Sequence, residues 1–159
     1  MLARYRAPNA ESKHWKEDES EYAPWGMVAE LVFGCYLYQF EIPSVYNNLI
    51  FQRPLGQKQY DFFIPRVGSI EMKAIPPGPA KRHLFVKVSE WKKPDYVVAV
   101  KFDSKEHGRL SGWLTGKEVE NLPRETWLAE SFSAWLDQLR LFGEFHELLL
   151  RAKQGMSVS

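Results

Sequence analysis

The feature that most restricts the fold of this chain is a pair of apolar segments around a short turn, YDFFIPRVGSIEMKAI (residues 60–75). Residues 60–64 and 69–75 have the composition of strands. Gly68, within the connection PRVGS, favours a tight antiparallel hairpin. The sequence therefore predicts two neighbouring antiparallel strands at this point of the chain.

Charged residues interrupt both strands of this hairpin: Asp61 in the first, Glu71 and Lys73 in the second. Side chains alternate along a strand, so Glu71 and Lys73 share one face, and we expect Asp61 to share it with them. Two carboxylates close together raise each other's pKa unless a cation lies between them. Mg²⁺ fits such a site because it binds one or two carboxylates and leaves positions for water and phosphate. With a lysine to orient water or hold phosphate, the pattern predicts metal-assisted hydrolysis of phosphodiesters.

A solvated strand face has the same composition, and that interpretation stays open. The acid-x-Lys pattern occurs four times in this chain, starting at Glu11, Glu71, Glu90 and Asp103. Glu71 differs from the others because it follows an aspartate-bearing apolar strand across a hairpin.

Glu30 is a further candidate because it is the one charged residue between Glu21 and Glu41. It lies in the middle of residues 25–40, which are apolar around nearly the whole helical circumference and predict a buried helix. A carboxylate on such a helix needs water, a partner or a metal, since an unpaired buried charge is very costly. The alternative is a narrow polar stripe facing solvent, although the helical neighbours of Glu30 are not polar: Gly26, Met27, Phe33 and Gly34.

The remaining strands are predicted from runs of β-branched and aromatic residues. We expect them at residues 44–52, 95–102 and 109–115, with the second as a central strand. The order of helix, three strands, a connection, two strands and helices indicates an α/β or α+β fold with a mixed central sheet flanked by helices.

Two helices are expected after these strands. Thr115 and Glu118 have the spacing of a capping box, so a short helix should begin there and end before Pro123. Further on, apolar residues recur every three or four positions and predict a long amphipathic helix bent at Gly143: Trp127, Leu128, Phe132, Trp135, Leu136, Leu139, Phe142, Phe145, Leu148 and Leu149.

Length and composition limit the class of protein. A chain of 159 residues with 45% hydrophobic content fits a polar N-terminal arm over residues 1–22 and a single domain over residues 23–159. Cys35 is the single cysteine, which excludes an internal disulfide and multi-thiolate zinc sites and favours a cytoplasmic protein. No secretory signal or membrane-length apolar segment is visible, so no membrane partner is expected.

The acids and the lysine together resemble the PD-(D/E)XK nuclease superfamily: Glu30 on the first helix, Asp61 on a strand, and Glu71-Met72-Lys73 on the next strand. The resemblance covers residues 25–102 and implies a restriction-endonuclease-like fold, a mixed sheet flanked by helices. It implies Mg²⁺ or Mn²⁺ as cofactor, with these roles: Asp61 and Glu71 as metal ligands, Glu30 as the auxiliary acid, and Lys73 positioning water or stabilising charge.

This chain departs from the family pattern in two places. Tyr60 stands where the motif has its proline. No helix is evident in residues 76–94, between the Glu-x-Lys strand and the strand that follows.

The resemblance implies a magnesium-dependent endonuclease or other phosphodiesterase, a hydrolase whose expected partner is DNA. Although the net charge of the chain is only +1, residues 81–105 contain seven Lys or Arg and three acids, a net charge of 7 − 3 = +4. Four of these basic residues are predicted to contact phosphates: Lys81, Arg82, Lys92 and Lys93. Ordinary solvated lysines explain the same residues equally well.

Duplex cleavage commonly needs two active sites, and surplus apolar surface on the C-terminal helix would serve a homodimer or higher homo-oligomer. The competing interpretation is a non-catalytic nucleic-acid-binding or structural domain, with a nuclease-like or other small α+β fold. Convergence of the predicted acids in space would favour the enzyme.

Overall fold

The computed structural model describes most of the chain beyond the N-terminal segment: residues 17–46, 60–78, 83–104, 106–126, 129–156 and 158, with the backbone alone for 17–24. None of the helices in this part is both long and apolar enough to cross a membrane. The predicted phosphate-binding residues Lys81 and Arg82 lie outside the described residues.

The described chain contains two sheets and three α-helices. The strands are β1 Val45–Tyr46, β2 Phe62–Ile64, β3 Gly68–Ile75, β4 His83–Lys87, β5 Tyr96–Ser104, β6 His107–Thr115, β7 Arg124–Thr126, β8 Glu130–Trp135 and β9 Arg140–Leu141. The helices are α1 Glu17–Gln39, α2 Gly116–Glu120 and α3 Phe142–Lys153.

The larger sheet has the order β1-β2-β3-β5-β6-β9 and mixed direction. The predicted hairpin is confirmed: β2 runs antiparallel to β3, with Phe62 opposite Ile70. β3 pairs in parallel with β5, and β5 pairs antiparallel with β6. The predicted mixed α/β architecture is therefore confirmed, and β3 and β5 lie at its centre. Of the strand predicted at 44–52, Val45 and Tyr46 form β1 and residues 47–52 lie outside the described residues.

α1 covers one face of this sheet, packing against β3, β5 and β6. Its predicted burial is confirmed for one face, where Ala29, Val32 and Phe33 are fully buried in a core that also includes residues of α3. The opposite face is not buried, because Met27, Cys35 and Tyr38 are exposed. The helix begins at Glu17, earlier than the sequence indicates, so residues 17–22 of the expected arm are helical and Pro24 lies inside the helix.

The second face is covered mainly by the smaller sheet, β4-β8-β7, with α2 beside it. Leu84 and Val86 of β4 and Phe132 of β8 form a second core with Val97 and Ala99 of β5. In the described part of the connection from β3 to β5, the chain forms β4 and a short 3₁₀ turn, and no α-helix. Both long helices thus lie on one face.

The predicted continuous C-terminal helix is wrong over residues 129–141. Phe132 and Trp135 lie in β8, which pairs with β4 and β7, and helix forms only from Phe142, so Gly143 lies in its first turn. Phe132 and Ala134 are two residues apart and both contribute to the second core, which is the pattern of a strand. The apolar residues around them also fit the three- and four-residue spacing of a helix. Trp127 and Leu128 lie outside the described residues. The expected homo-oligomer stays a prediction.

The capping box at α2 is confirmed. The Thr115 hydroxyl accepts from the Glu118 N–H at 3.1 Å, and the Thr115 N–H donates to Glu118 Oε2 at 2.8 Å. The helix ends at Glu120, before Pro123 as expected.

Candidate functional site

Asp61 directly precedes β2, beside the neighbouring strand β3. Continuing the register of Phe62 with Ile70 by one residue brings Asp61 opposite Glu71. Asp61 Oδ2 accepts a hydrogen bond from the Met72 N–H at 2.7 Å. The carboxylate therefore accepts from an N–H group that would otherwise bond to the backbone of a neighbouring strand. This contact holds the Asp61 carboxylate between the two faces of the sheet.

Glu71 and Lys73 lie on the face of β3 that looks toward the second core, beside Val97 and Ala99 of β5. Lys73 Nζ and Glu71 Oε1 form an ion pair at 3.2 Å, and the two side chains are only 23% and 12% exposed, respectively. The second oxygen of Glu71, Oε2, is buried without a hydrogen-bond partner among the described residues. A buried carboxylate oxygen without a partner costs free energy of folding. A hydrogen-bond donor or a cation at this oxygen would therefore stabilise the site.

Glu30 approaches from the other face of the sheet, on α1. Its Oε2 accepts a hydrogen bond of 2.5 Å from the hydroxyl of Tyr46. Glu30 also lies close enough to Asp61 for its charge to raise the pKa of that carboxyl. Glu30 and Glu71 thus start on opposite faces of the sheet, and Asp61, at the start of β2, interacts with both.

The cluster has more negative charge than its surroundings compensate. Burial is the main cause that raises the pKa of Asp61 to about 6, and the nearby Glu30 raises it further, while the Met72 N–H and Lys73 oppose the change. Burial also raises the pKa of Glu71; Lys73 opposes this rise and the charge of Asp61 adds to it. Asp61 thus interacts with Glu30, Glu71 and Lys73, and Glu71 interacts with Lys73.

Within the described residues, no group of three or more His, Cys, Asp or Glu side chains is arranged to hold a metal ion. The residues present nevertheless fit a divalent cation in one clear respect. The unpartnered Oε2 of Glu71 and the raised pKa of Asp61 are both relieved by positive charge, and Mg²⁺ needs only one or two carboxylates from a protein.

Of the described basic residues predicted to contact phosphates, Lys92 lies near the cluster. Its charge reaches Glu71 and opposes the rise in the pKa of that carboxyl. Lys92 is exposed, and its backbone carbonyl accepts a hydrogen bond from the Tyr60 hydroxyl at 3.2 Å, which ties this segment to the hairpin. Lys93 is also exposed and forms no ion pair with the acids of the cluster in the described part of the chain.

The sequence does not indicate two residues that position the site. Tyr46 contacts Glu30 across a gap of sixteen residues, and no local pattern indicates that contact. Asp95 accepts hydrogen bonds from the N–H and the hydroxyl of Ser69, which fixes the start of β3 against the start of β5. The one local signal for the second contact is Gly68, whose missing side chain leaves room for Asp95.

No family model, curated protein or solved structure matches this chain. The resemblance to PD-(D/E)XK nucleases therefore stays a prediction, carried by the quoted residues. Any function follows from the geometry of the cluster.

Proposed function

We propose that this protein is a metal-dependent nuclease that hydrolyses phosphodiester bonds, with DNA as its substrate. The observation that carries the proposal is the position of Asp61, which interacts with Glu30 from one face of the sheet and with Glu71 from the other. Half-buried acids brought together from separate parts of the chain are costly in free energy unless they serve a cation. Solvated strand charges do not require such convergence.

The proposed roles follow from the contacts. A bound Mg²⁺ or Mn²⁺ would stabilise charge on the scissile phosphate and acidify a bound water. Asp61 and Glu71 would hold the ion, since Glu71 Oε2 is buried and has no partner in the described structure. Glu30 would support Asp61 from α1.

Lys73 is placed to act on the substrate. It is paired with Glu71 Oε1 at 3.2 Å and remains partly exposed, so its ammonium group can reach a phosphate oxygen or orient the attacking water. Lys92, exposed and close to Glu71, would contact a neighbouring phosphate.

The second candidate is a non-catalytic domain that keeps the acids for stability or binding. The ion pair between Lys73 and Glu71 favours it, because the lysine already supplies one positive charge to the cluster. The raised pKa of Asp61 and the unpartnered Oε2 of Glu71 in the described structure argue for the nuclease instead.

A cleavage assay separates the two candidates. Wild-type protein should cut single-stranded, duplex or branched DNA in Mg²⁺ or Mn²⁺ and should lose that activity in EDTA. Lys73→Ala and Asp61→Asn should each lower the rate by about 100-fold or more, the usual contribution of a positioned acid-base or charge-stabilising group.

Matched controls are Lys87→Ala and Asp103→Asn, which remove the same charges from exposed ion pairs on β4 and β5. Both should cleave like wild type. Full activity in Lys73→Ala and Asp61→Asn would remove these residues from the mechanism. Absence of cleavage by the wild type on all three DNA forms would favour the non-catalytic candidate.

A further inference from the structure

Tyr46 donates a hydrogen bond to the acidic cluster from outside it. The residue lies on β1, opposite Phe62 of β2, and its ring stacks on the Phe62 ring with centroids 4.8 Å apart and planes 19° apart. Phe62 directly follows Asp61. The strand pairing therefore fixes the Tyr46 ring relative to the cluster.

The Tyr46 hydroxyl donates to Glu30 Oε2 at 2.5 Å. This distance falls in the range of charge-assisted O–H···O⁻ hydrogen bonds, about 2.5–2.7 Å, which are stronger than neutral ones. A glutamate on a helix otherwise has several rotamers open to it. The contact thus selects one orientation of the Glu30 carboxylate.

That orientation works against electrostatic repulsion. Glu30 and Asp61 are both carboxylates, and the charge of Glu30 raises the pKa of Asp61. A hydrogen-bond donor on Glu30 Oε2 stabilises the carboxylate charge in this orientation and so offsets the repulsion. The Tyr46 hydroxyl supplies that donor from a ring that is held by stacking.

We propose that Tyr46 is a positioning residue that holds the carboxylate of Glu30 against Asp61 and so raises the affinity of the site for a divalent ion. This role rests on the proposed metal-dependent function. Tyr46 does not contact the ion; it acts through Glu30, in the way that partners of metal ligands orient those ligands.

The test is Mn²⁺ binding without DNA, measured by titration calorimetry on wild type and Tyr46→Phe. The substitution removes the hydroxyl and keeps the ring on Phe62. We expect about tenfold weaker Mn²⁺ binding, the lower end of the effect of losing a residue that orients a metal ligand. Tyr38→Phe is the matched control, because Tyr38 lies on α1 and is 88% exposed; it should leave the affinity unchanged.

A double-variant comparison separates positioning from general loss of structure. If Tyr46 acts through Glu30, then Tyr46→Phe should add nothing to the loss of affinity already caused by Glu30→Gln. Additive losses, or lower thermal stability with unchanged Mn²⁺ affinity, would overturn the positioning role alone. Failure of the wild type to bind Mn²⁺ would overturn this role together with the proposed nuclease.

Discussion

At the scale of single residues, Asp61 decides how the candidate site is organised. The sequence predicts that Asp61 shares a face with Glu71, and the register of the hairpin brings it opposite Glu71; its Oδ2 in addition accepts from the Met72 N–H of β3. This position lets it meet Glu30 as well, which alternation along a strand does not predict. The sequence suggests which acids to consider, whereas the contacts that bring Asp61 close to Glu30 and Glu71 depend on where β2 begins.

The raised pKa of Asp61 predicts a pH-dependent stability of the metal-free protein. The pKa is about 6 in the folded protein against an ordinary value of 3.8, so the folded state holds the proton more tightly than the unfolded chain. The free energy of unfolding should therefore fall as pH rises from about 4 to about 6. This carboxyl accounts for a loss of at most about 3 kcal/mol.

Urea unfolding in EDTA between pH 4 and pH 7.5 measures this effect. Asp61→Asn keeps an acceptor for the Met72 N–H and should show a shallower decrease than wild type. Asp103→Asn, at an exposed carboxylate, is the control and should follow the wild-type curve. An Asp61→Asn curve with the wild-type slope would show that Asp61 is not the titrating group.

At the scale of elements, the hairpin depends on a glycine at its turn. Gly68 has φ +125°, and a Cβ atom there would lie 2.2 Å from Asp95 Oδ2. That carboxylate also accepts from the Ser69 N–H at 2.8 Å. A side chain at residue 68 would therefore strain the backbone and displace the contact that joins β3 to β5.

Gly68→Ala should lower the free energy of unfolding by about 2 kcal/mol or more, from backbone strain together with the lost contact. The control is Gly78→Ala, because Gly78 has a similar φ of +127° but nothing within 4 Å of its Cβ position. Urea unfolding of both variants separates the two causes. Equal losses would mean that the close approach of Asp95 contributes nothing.

Local sequence predicts some elements and fails on others for a physical reason. The hairpin, β5 and the capping box at Thr115 follow from turn chemistry, β-branched composition and cap spacing, all of which act between near neighbours. Residues 130–135 fit a helical pattern in the sequence, but they form β8 because they pair with β4, where His83 lies opposite Trp135. Such long-range pairing leaves no local signal, and the helical spacing of Phe132 and Trp135 was a coincidence.

At the scale of the whole molecule, the acidic cluster lies between two cores. Glu30 comes from the helix that packs on the first core, and Glu71 lies on the side of the second. The sequence predicts a mixed sheet and one domain, but it does not reveal the small second sheet that covers the other face. A ligand that binds acids from both sides would couple these two halves.

A divalent cation should therefore stabilise the whole fold. At a free Mn²⁺ concentration of about 100 times the dissociation constant, binding to the folded state adds about 2.7 kcal/mol. For a chain of this size the Tm should rise by about 5–10 °C. Differential scanning calorimetry with and without EDTA measures the shift.

The control variant is Glu71→Gln, which removes the negative charge of the carboxylate whose Oε2 lacks a partner in the described structure. Its Tm should respond little to Mn²⁺. A shift of the same size in this variant would place the bound ion elsewhere on the protein.

Cys35 gives this molecule a convenient spectroscopic handle. It is exposed on α1 and is the only thiol of the chain, so a nitroxide reagent would attach at one position of the unaltered protein. Five residues of helix separate it from Glu30, a rise of about 7.5 Å along the axis. Paramagnetic broadening of that label would report Mn²⁺ arriving beside the helix, independently of any substrate.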